Sequence, residues 1–304
     1  MCKILYYHGL PGRFPELSSV NKSFTLAHFV QQVKWLSKRY ELITTDEALN
    51  RSKAKNGLAK TVCLTTDDGM ADNRVFAEIV ADHGGRITMF LNTLVLDNHD
   101  LMWRHKVSCV ASVTDTARHK TLIGDLIGNG NGPLRPPPLG HRTLVKWSYG
   151  WPMYAKDRLA NELWHKAQLE PLSDFLDRHK PYLTWQQVRN LVADGHAIGT
   201  HTVSHPDCSR VSWDDLNREV AESIQVIRAH TGCSVQALAY PFGRRPRPAW
   251  ERRLRHENPA LKLLMGIAPT KGFESLEERE GMEYPFLTAL FNLYVQPYKR
   301  MLLC

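Results

Sequence analysis

Short apolar runs alternate along the chain with longer segments in which apolar residues recur every three or four positions. The short runs predict strands, and the longer segments predict amphipathic helices. The predicted strands cover 2–7, 61–65, 86–91, 235–240 and 261–267, and another strand leads into His201. The predicted helices cover 25–40, 71–83, 155–167, 184–194 and 212–231. This alternation is typical of parallel βα units, which form either an open doubly wound sheet or a barrel.

Two predicted helices carry further local signals. Thr184 and Gln187 have the spacing of a capping box, which predicts a helix that begins after Thr184 and stops at Gly195. Helix 25–40 has apolar residues at helical spacing, and we expect this face to be buried. Its members are Leu26, Phe29, Val30, Val33 and Leu36.

An acidic pair and a histidine pair each follow a predicted strand. Asp67 and Asp68 follow the predicted strand 61–65, and His201 and His205 lie at and after the end of a later predicted strand. The histidines have the H-x(3–5)-H spacing of zinc ligands, and one carboxylate would complete three protein ligands while leaving a position for water. Either aspartate can supply that ligand, and Gly69 allows a turn that brings both carboxylates to one pocket.

Each pair taken alone has a simpler interpretation. Asp-Gly is a common turn signal, and an aspartate before a helix is a common N-cap. The two histidines are also compatible with ordinary polar residues in a loop. The presence of both pairs at strand ends is what favours a metal site over these alternatives.

With a third segment, 239–243 (A-Y-P-F-G), these pairs resemble the motifs of the polysaccharide deacetylase family, carbohydrate esterase family four, also described as the chitooligosaccharide deacetylase homology domain. The resemblance implies a distorted (β/α)7 barrel. It also implies that Asp67 is the general base, that Asp68, His201 and His205 bind the metal, and that the backbone N–H of Phe242 holds the oxyanion.

Two family features are missing from the sequence. The third motif has Ala239 where the family often has an arginine that orients the base, and we consider Arg104 and Arg244 as replacements. The fifth motif, L-x-H, which supplies the general acid, has no counterpart after Gly243. His8, at the end of the first predicted strand, is our candidate for that acid, with a structural histidine as the alternative.

The length and composition fit one catalytic domain spanning 1–304. The chain is 43% hydrophobic, and its six cysteines are scattered without a C-x-x-C pair, which indicates reduced thiols. We expect a helical insertion at about 97–181. Trp103 lies within this insertion. Its ring could stack against a bound sugar, but we favour a position in the core of the insertion itself.

The net charge of +8 is partly local, because six arginines follow the third motif. We expect them beside the active site, where Arg244 and Arg245 would bind a phosphate-bearing or lipid-linked sugar, unless the segment is simply a solvated basic loop. Tyr240, Trp103 and Arg104 complete the candidate substrate-binding residues. No nucleic-acid recognition motif accompanies the charge, so nucleic acid is not an expected partner.

The sequence thus predicts a metal-dependent N-deacetylase of an amino sugar or N-acetylated glycan. One divalent cation is expected, with zinc first and cobalt, nickel or iron sharing the donor set. The alternatives are a catalytically impaired carbohydrate-binding member of the family and a two-histidine, one-carboxylate iron oxygenase. The sequence has no secretory or membrane-spanning segment, so we expect a cytoplasmic protein, with contact of the apolar stretch 286–295 with a membrane surface as an alternative.

Overall fold

Eight parallel strands, seven of them in a closed ring, form the centre of the computed structural model, which describes residues 2–10, 24–128, 134–135, 144–267, 276 and 278–289. The strands are β1 (Lys3–Tyr7), β2 (Glu41–Leu42), β3 (Thr61–Thr66), β4 (Ile87–Leu91), β5 (Ala197–Thr200), β6 (Ala237–Ala239), β7 (Leu263–Ile267) and β8 (Glu278–Gly281). In the ring the order is β1-β8-β7-β6-β5-β4-β3, and the pairing of β1 with β3 closes it. Strand β2 lies outside the ring, against the first two residues of β3.

Eleven α-helices connect and cover the strands in the described part of the chain. They are α1 (Leu26–Ser37), α2 (Thr45–Arg51), α3 (Asn73–Asp82), α4 (Trp103–Val113), α5 (Thr116–Gly128), α6 (Leu144–Ser148), α7 (Lys156–Lys166), α8 (Leu172–His179), α9 (Trp185–Ala193), α10 (Trp213–Thr231) and α11 (Pro248–Glu257). No helix among the described residues is both long and apolar enough to cross a bilayer.

The predicted distorted seven-stranded barrel is therefore confirmed, and so are the strands expected at its core. Strand β6 is shorter than the predicted 235–240. The capping box of Thr184 and Gln187 is present at the start of α9. The prediction that Leu26 is buried was wrong, since it is 39% exposed at the first position of α1, whereas Gln32 on the same helix is buried.

Apolar residues pack on both sides of the strands. Residues that alternate along the strands fill the barrel, as a small barrel requires. They include Cys2, Ile4, Cys63, Phe90, Ala237, Ala239, Leu263 and Met265. The alternate positions, such as Leu5, Leu64 and Met89, pack outward against the helices. This parity continues past the end of β3, so Asp67 is in phase with Cys63 and Thr65, which point into the barrel.

The long connection between β4 and β5 includes helices α4–α8 within the region predicted as an insertion, 97–181. Its tryptophans are buried and contact each other or neighbouring helices. Trp103 and Trp151 are 6.3 Å apart, and Trp147 and Trp151 are 5.4 Å apart, between ring centroids. They form a core for this segment, and Trp103 also borders the pocket described below. Most of the apolar stretch 286–295 lies outside the described residues.

Gly199 in β5 makes the barrel packing possible, and its replacement tests the packing. A Cβ atom at this position would lie 2.3 Å from the Phe90 ring and 3.0 Å from the Ala237 carbonyl oxygen. We predict that Gly199→Ala lowers the free energy of unfolding by about 1–3 kcal/mol through overpacking. Gly124→Ala in α5 is the control, because its Cβ would meet nothing within 4 Å, and it should stabilise by about 0.5–1 kcal/mol. Urea denaturation measures both, and equal effects of the two substitutions would contradict the packing argument.

Candidate functional site

Asp68 lies immediately after β3, in a position that removes it from water. Its side chain is fully buried, and neither carboxylate oxygen has a hydrogen-bond partner in the described part of the chain. Oδ1 lies 3.4 Å from Nε2 of His205 and 3.5 Å from Nε2 of His201. A buried carboxylate without donors is costly unless a cation compensates it. The three side chains fit one metal ion, because their ligand atoms all lie within 4.8 Å of one another.

The histidines present free nitrogen lone pairs to this position. His201 Nδ1 donates to the carbonyl oxygen of Ala239 at 2.7 Å, which leaves Nε2 unprotonated and directed towards Asp68. Burial lowers the pKa of His201, although the nearby aspartates oppose the shift, and burial lowers the pKa of His205 well below its usual value. Both rings are therefore neutral near pH 7, as metal ligands must be.

The loop that carries the histidines is held by hydrogen bonds from three elements. The carboxylate of Glu219, in α10, accepts the backbone N–H groups of Val203 and Ser204 at 2.9 and 2.8 Å. Lys156, at the start of α7, donates to Ser204 Oγ at 2.7 Å. Trp103 Nε1, in α4, donates to the His205 carbonyl oxygen at 3.0 Å. The helical segment between β4 and β5 thus helps to position a candidate ligand.

Left-handed backbone conformations concentrate at this site in residues other than glycine. Asp68, His205 and Phe242 have φ values of 69°, 56° and 58°. Such conformations cost free energy for residues with a Cβ atom and persist where the surrounding contacts determine them. In a left-handed conformation, the side chain and N–H of each residue point in a different direction from the one that a continued strand would give them.

Arg279, in β8, forms a bidentate ion pair with Asp67. The distances are 2.6 Å from Nη1 to Oδ1 and 2.9 Å from Nη2 to Oδ2, and the arginine is fully buried. Its guanidinium lies between the rings of Tyr6 and Phe90, at 5.0 and 5.2 Å. Burial by itself would raise the pKa of Asp67, but Arg279 and the neighbouring histidines bring it below its usual value. Asp67 is therefore ionised at neutral pH.

Arg279 corrects one of the sequence-based expectations. Arg104 and Arg244 were the candidates for steadying Asp67, and neither does so. The Arg104 guanidinium lies over the Phe242 ring at 4.7 Å, and Arg244 pairs with Asp207 at 2.6 Å. Segment 276–281 lacks the apolar alternation of a strand, so the sequence pattern did not point to β8 or to its arginine.

His8 follows β1 and lies next to a second carboxylate that the sequence analysis missed. Its Nδ1 is 3.1 Å from Oε2 of Glu283, and Oε1 of the same carboxylate accepts the His8 backbone N–H at 2.6 Å. Burial alone would lower the pKa of His8, but Glu283, with smaller contributions from Asp68 and Asp67, raises it to about 9. His8 is therefore an imidazolium at neutral pH.

His105, in α4, is another residue that the sequence analysis did not assign to the site. Tyr182 Oη accepts the Met102 N–H at 3.1 Å and lies 2.6 Å from His105 Nδ1. The other ring nitrogen, Nε2, lies 4.0 Å from Oδ2 of Asp68, so His105 is a third imidazole beside this carboxylate.

A cavity of about 340 Å³ opens beside these groups. The segment after β1, the β4–β5 connection, the loops after β5 and β6 and the last residue of β7 line it. They are His8, Trp103, Arg104, Tyr149, Met153, Asp207, Phe242, Arg244 and Ile267. The Phe242 ring lies 4.8 Å from the His205 ring and 5.9 Å from the Tyr149 ring. Its backbone N–H makes no hydrogen bond to a described residue, so it is available to a bound molecule.

The remaining predicted substrate-binding residues are not at this cavity. Tyr240 is fully buried among apolar residues outside the barrel, including Leu216 and Leu264, because the β6 alternation turns it outward. Arg245 pairs with Glu251 at 2.8 Å. The expectation that the whole arginine cluster borders the active site was therefore wrong, since Arg244 is its one member among the cavity residues of the described chain.

The chain is similar to deacetylases in sequence and fold. A family model described as polysaccharide deacetylase matches residues 154–259, which include both histidines and the third motif but not the aspartates. A chitooligosaccharide deacetylase of Sinorhizobium fredii is 39% identical over 59 residues, 19% of this chain and 27% of that protein. A peptidoglycan-N-acetylglucosamine deacetylase of Bacillus cereus is 27% identical over 56 residues, 18% and 20% of the two chains. The chain thus spans about a quarter of the length of these curated relatives.

Two solved structures share the fold over most of their length. The Streptococcus pyogenes deacetylase PplD in complex with acetate is 18% identical, with a TM-score of 0.53 over 89% of this chain and 84% of that one. IcaB from Ammonifex degensii is 14% identical, with a TM-score of 0.54 over 94% and 87%. At these identities, the likeness establishes the barrel architecture and leaves the chemistry to be argued from the residues.

Metal titration tests the three proposed ligands. We predict that the protein binds one equivalent of Zn²⁺, which at a free concentration of 100 times Kd raises the free energy of unfolding by about 2.7 kcal/mol. His201→Ala, His205→Ala and Asp68→Asn should each lose this stabilisation, because each removes one of three ligands. Asp67→Asn is the matched control and should keep it. Isothermal calorimetry and thermal unfolding provide the measurements, and full Zn²⁺ affinity in His205→Ala would contradict the assignment.

Proposed function

We propose that the chain is a metal-dependent N-deacetylase of the polysaccharide deacetylase type, which hydrolyses the acetamide of an N-acetylated sugar or glycan to acetate and a free amine. The main support is the pairing of a buried cation site with an ionised aspartate that is held in a fixed orientation beside it. The neighbouring Asp67 has no ligand role to fill. That leaves it for proton transfer, which a two-histidine, one-carboxylate oxygenase would not need.

A divalent cation bound by Asp68, His201 and His205 would polarise the acetamide carbonyl and lower the pKa of a water molecule. Zinc suits two imidazoles and one carboxylate, and cobalt, nickel and iron accept the same donors. Asp67 accepts the proton as water attacks the carbonyl carbon. The Phe242 N–H donates to the developing oxyanion. His8 then protonates the amine nitrogen as the carbon–nitrogen bond breaks.

Arg279 and Glu283 account for the two family features that the sequence lacks, and both weigh against an impaired binding protein. Arg279 approaches Asp67 from β8 and holds it through two parallel hydrogen bonds, the task for which the third motif has no arginine. Glu283 holds His8 and keeps it protonated, so a proton donor exists without the fifth motif. In this proposal, Asp67 as the base and His8 as the acid lie near the three residues that would hold the cation.

Substitution of Asp67 separates proton transfer from metal binding. We predict that Asp67→Asn lowers kcat for acetate release about 10²–10⁴-fold, because the amide cannot accept the proton. Arg279→Lys should cause a smaller loss, since it keeps a positive charge but not the two parallel bonds that orient the base. The measurement is acetate release from a panel of N-acetylated sugars by metal-loaded protein, with bound metal quantified in each variant. Unchanged turnover in Asp67→Asn would refute its role as the base.

The pH dependence tests His8 as the acid. We predict that kcat falls as the pH rises through the pKa of His8, about 9, because the imidazolium that donates the proton is lost. The charged and titratable groups that face His8 include Glu283, Asp67, Asp68, His105, His205 and Tyr6. Glu283→Gln removes the largest stabilising charge, so the alkaline limb should move to lower pH, whereas His8→Gln should abolish it. A limb at the same pH in both variants would show that another group is titrating.

A further inference from the structure

Arg104 is a buried cation without a counter-charge in the described part of the chain. Its side chain borders the cavity, the residue is only 8% exposed, and no described residue forms a hydrogen bond or ion pair with its guanidinium. The Phe242 ring, 4.7 Å from its Cζ atom, is the contact that it makes. Burying an unpaired charge is unfavourable, and a buried cation–π contact of about 2 kcal/mol offsets only part of that cost. The geometry therefore leaves a place for an anion.

The arginines that follow the third motif do not share this property. Arg244 is paired with Asp207 at 2.6 Å, and Arg245 with Glu251 at 2.8 Å. Arg253 pairs with Glu257 at 2.7 Å. Arg252 is exposed on α11 and does not border the cavity. The excess of positive charge in this segment is thus compensated or solvated, and the unsatisfied guanidinium is that of Arg104.

The start of α4 adds to the attraction for an anion at the same place. The helix begins at Trp103, its N-cap Met102 provides no side-chain hydrogen bond, and both Trp103 and Arg104 border the cavity. The first N–H groups of a helix carry partial positive charge and favour a negatively charged ligand. The guanidinium N–H groups of Arg104 and the first backbone N–H groups of α4 therefore attract an anion to the same place.

The position of Arg104 relates the anion to the reacting group. The Phe242 ring contacts both the Arg104 guanidinium, at 4.7 Å, and the His205 ring, at 4.8 Å. We propose that the substrate is an N-acetylated sugar with a negatively charged substituent, a phosphate ester or a carboxylate, that Arg104 binds beside Phe242. This inference rests on the proposed deacetylation for the identity of the ligand but not for the existence of the anion site.

Kinetics with matched sugars test the inference. The substrates are N-acetylglucosamine, N-acetylglucosamine 1-phosphate and N-acetylmuramic acid, which differ in the absence or kind of anionic group. We expect a lower KM for at least one anionic sugar than for the neutral one. Arg104→Gln should raise the KM of that sugar about 10- to 100-fold, the loss of a charged hydrogen bond, and should raise the KM of the neutral sugar much less. Arg104→Lys should recover part of the affinity, and Arg252→Gln is the matched control that should change nothing.

Equal KM values for neutral and anionic sugars in the unmodified protein would overturn the proposal, and so would an equal effect of Arg104→Gln on all three. Preference for phosphate or for carboxylate identifies which anion the site binds. Thermal unfolding excludes a structural role: Arg104→Gln removes an uncompensated buried charge, so its melting temperature should equal or exceed that of the unmodified protein. A large decrease would mean that the guanidinium stabilises the fold instead.

Calorimetry separates this inference from the proposed deacetylation. Metal-loaded protein is titrated with glucosamine 1-phosphate and with glucosamine, neither of which has an acetyl group to lose. Binding of the phosphate that depends on Arg104, without acetate release from any acetylated sugar, would uphold the anion site and refute the deacetylation. Acetate release without any Arg104-dependent preference for anionic sugars would uphold the deacetylation and refute the anion site.

Discussion

The site depends on one electrostatic constraint, a carboxylate that is fully buried and receives no hydrogen bond from the described residues. Asp68 faces three imidazoles, those of His105, His201 and His205, within 4.0 Å of its oxygens. Burial lowers the pKa of all three rings, so they are neutral near pH 7 and do not compensate its charge. An anion in this position is tolerated only with a cation beside it. The orientation of the histidines, the left-handed turns and the supports of the 201–205 loop are all consistent with that requirement.

The closed barrel explains how residues so distant in sequence come together. Parallel strands place their carboxyl ends at one end of the barrel, so the residues after β1, β3, β5 and β6 meet there. Closure through β1 and β3 puts His8 beside the aspartates, and pairing of β8 with β1 brings Arg279 to Asp67. An open sheet would leave β1 and β8 paired at an edge, but it would not fix both of them relative to β3.

The sequence predicted the parts of the site that local pattern encodes. Asp68, His201 and His205 follow apolar strands at recognisable spacing, and those strands are where they were expected. The sequence did not predict the role of Arg279, because β8 is short and polar. This segment forms a strand through its pairing with β1 and β7, and its own side chains do not show a strand pattern. The prediction for the arginine cluster was wrong for a related reason. The sequence shows the positive charges, but only the fold shows that Arg244 pairs with Asp207 and that Arg245 pairs with Glu251.

Asp67 and His8, the proposed base and acid, illustrate how two neighbouring buried groups can carry opposite charges at the same pH. Burial acts on both, and it would raise the pKa of Asp67 and lower that of His8, which would leave each in its uncharged form. Opposite partners reverse this: Arg279 keeps Asp67 ionised, and Glu283 keeps His8 protonated. Two ion pairs therefore set the charge states of the proposed base and acid. Arg279, in β8, pairs with Asp67, and Glu283, just after β8, pairs with His8. Because Arg279 and Glu283 are only four residues apart, the same short segment prepares both groups, and its distance in sequence from the motifs is what hid it.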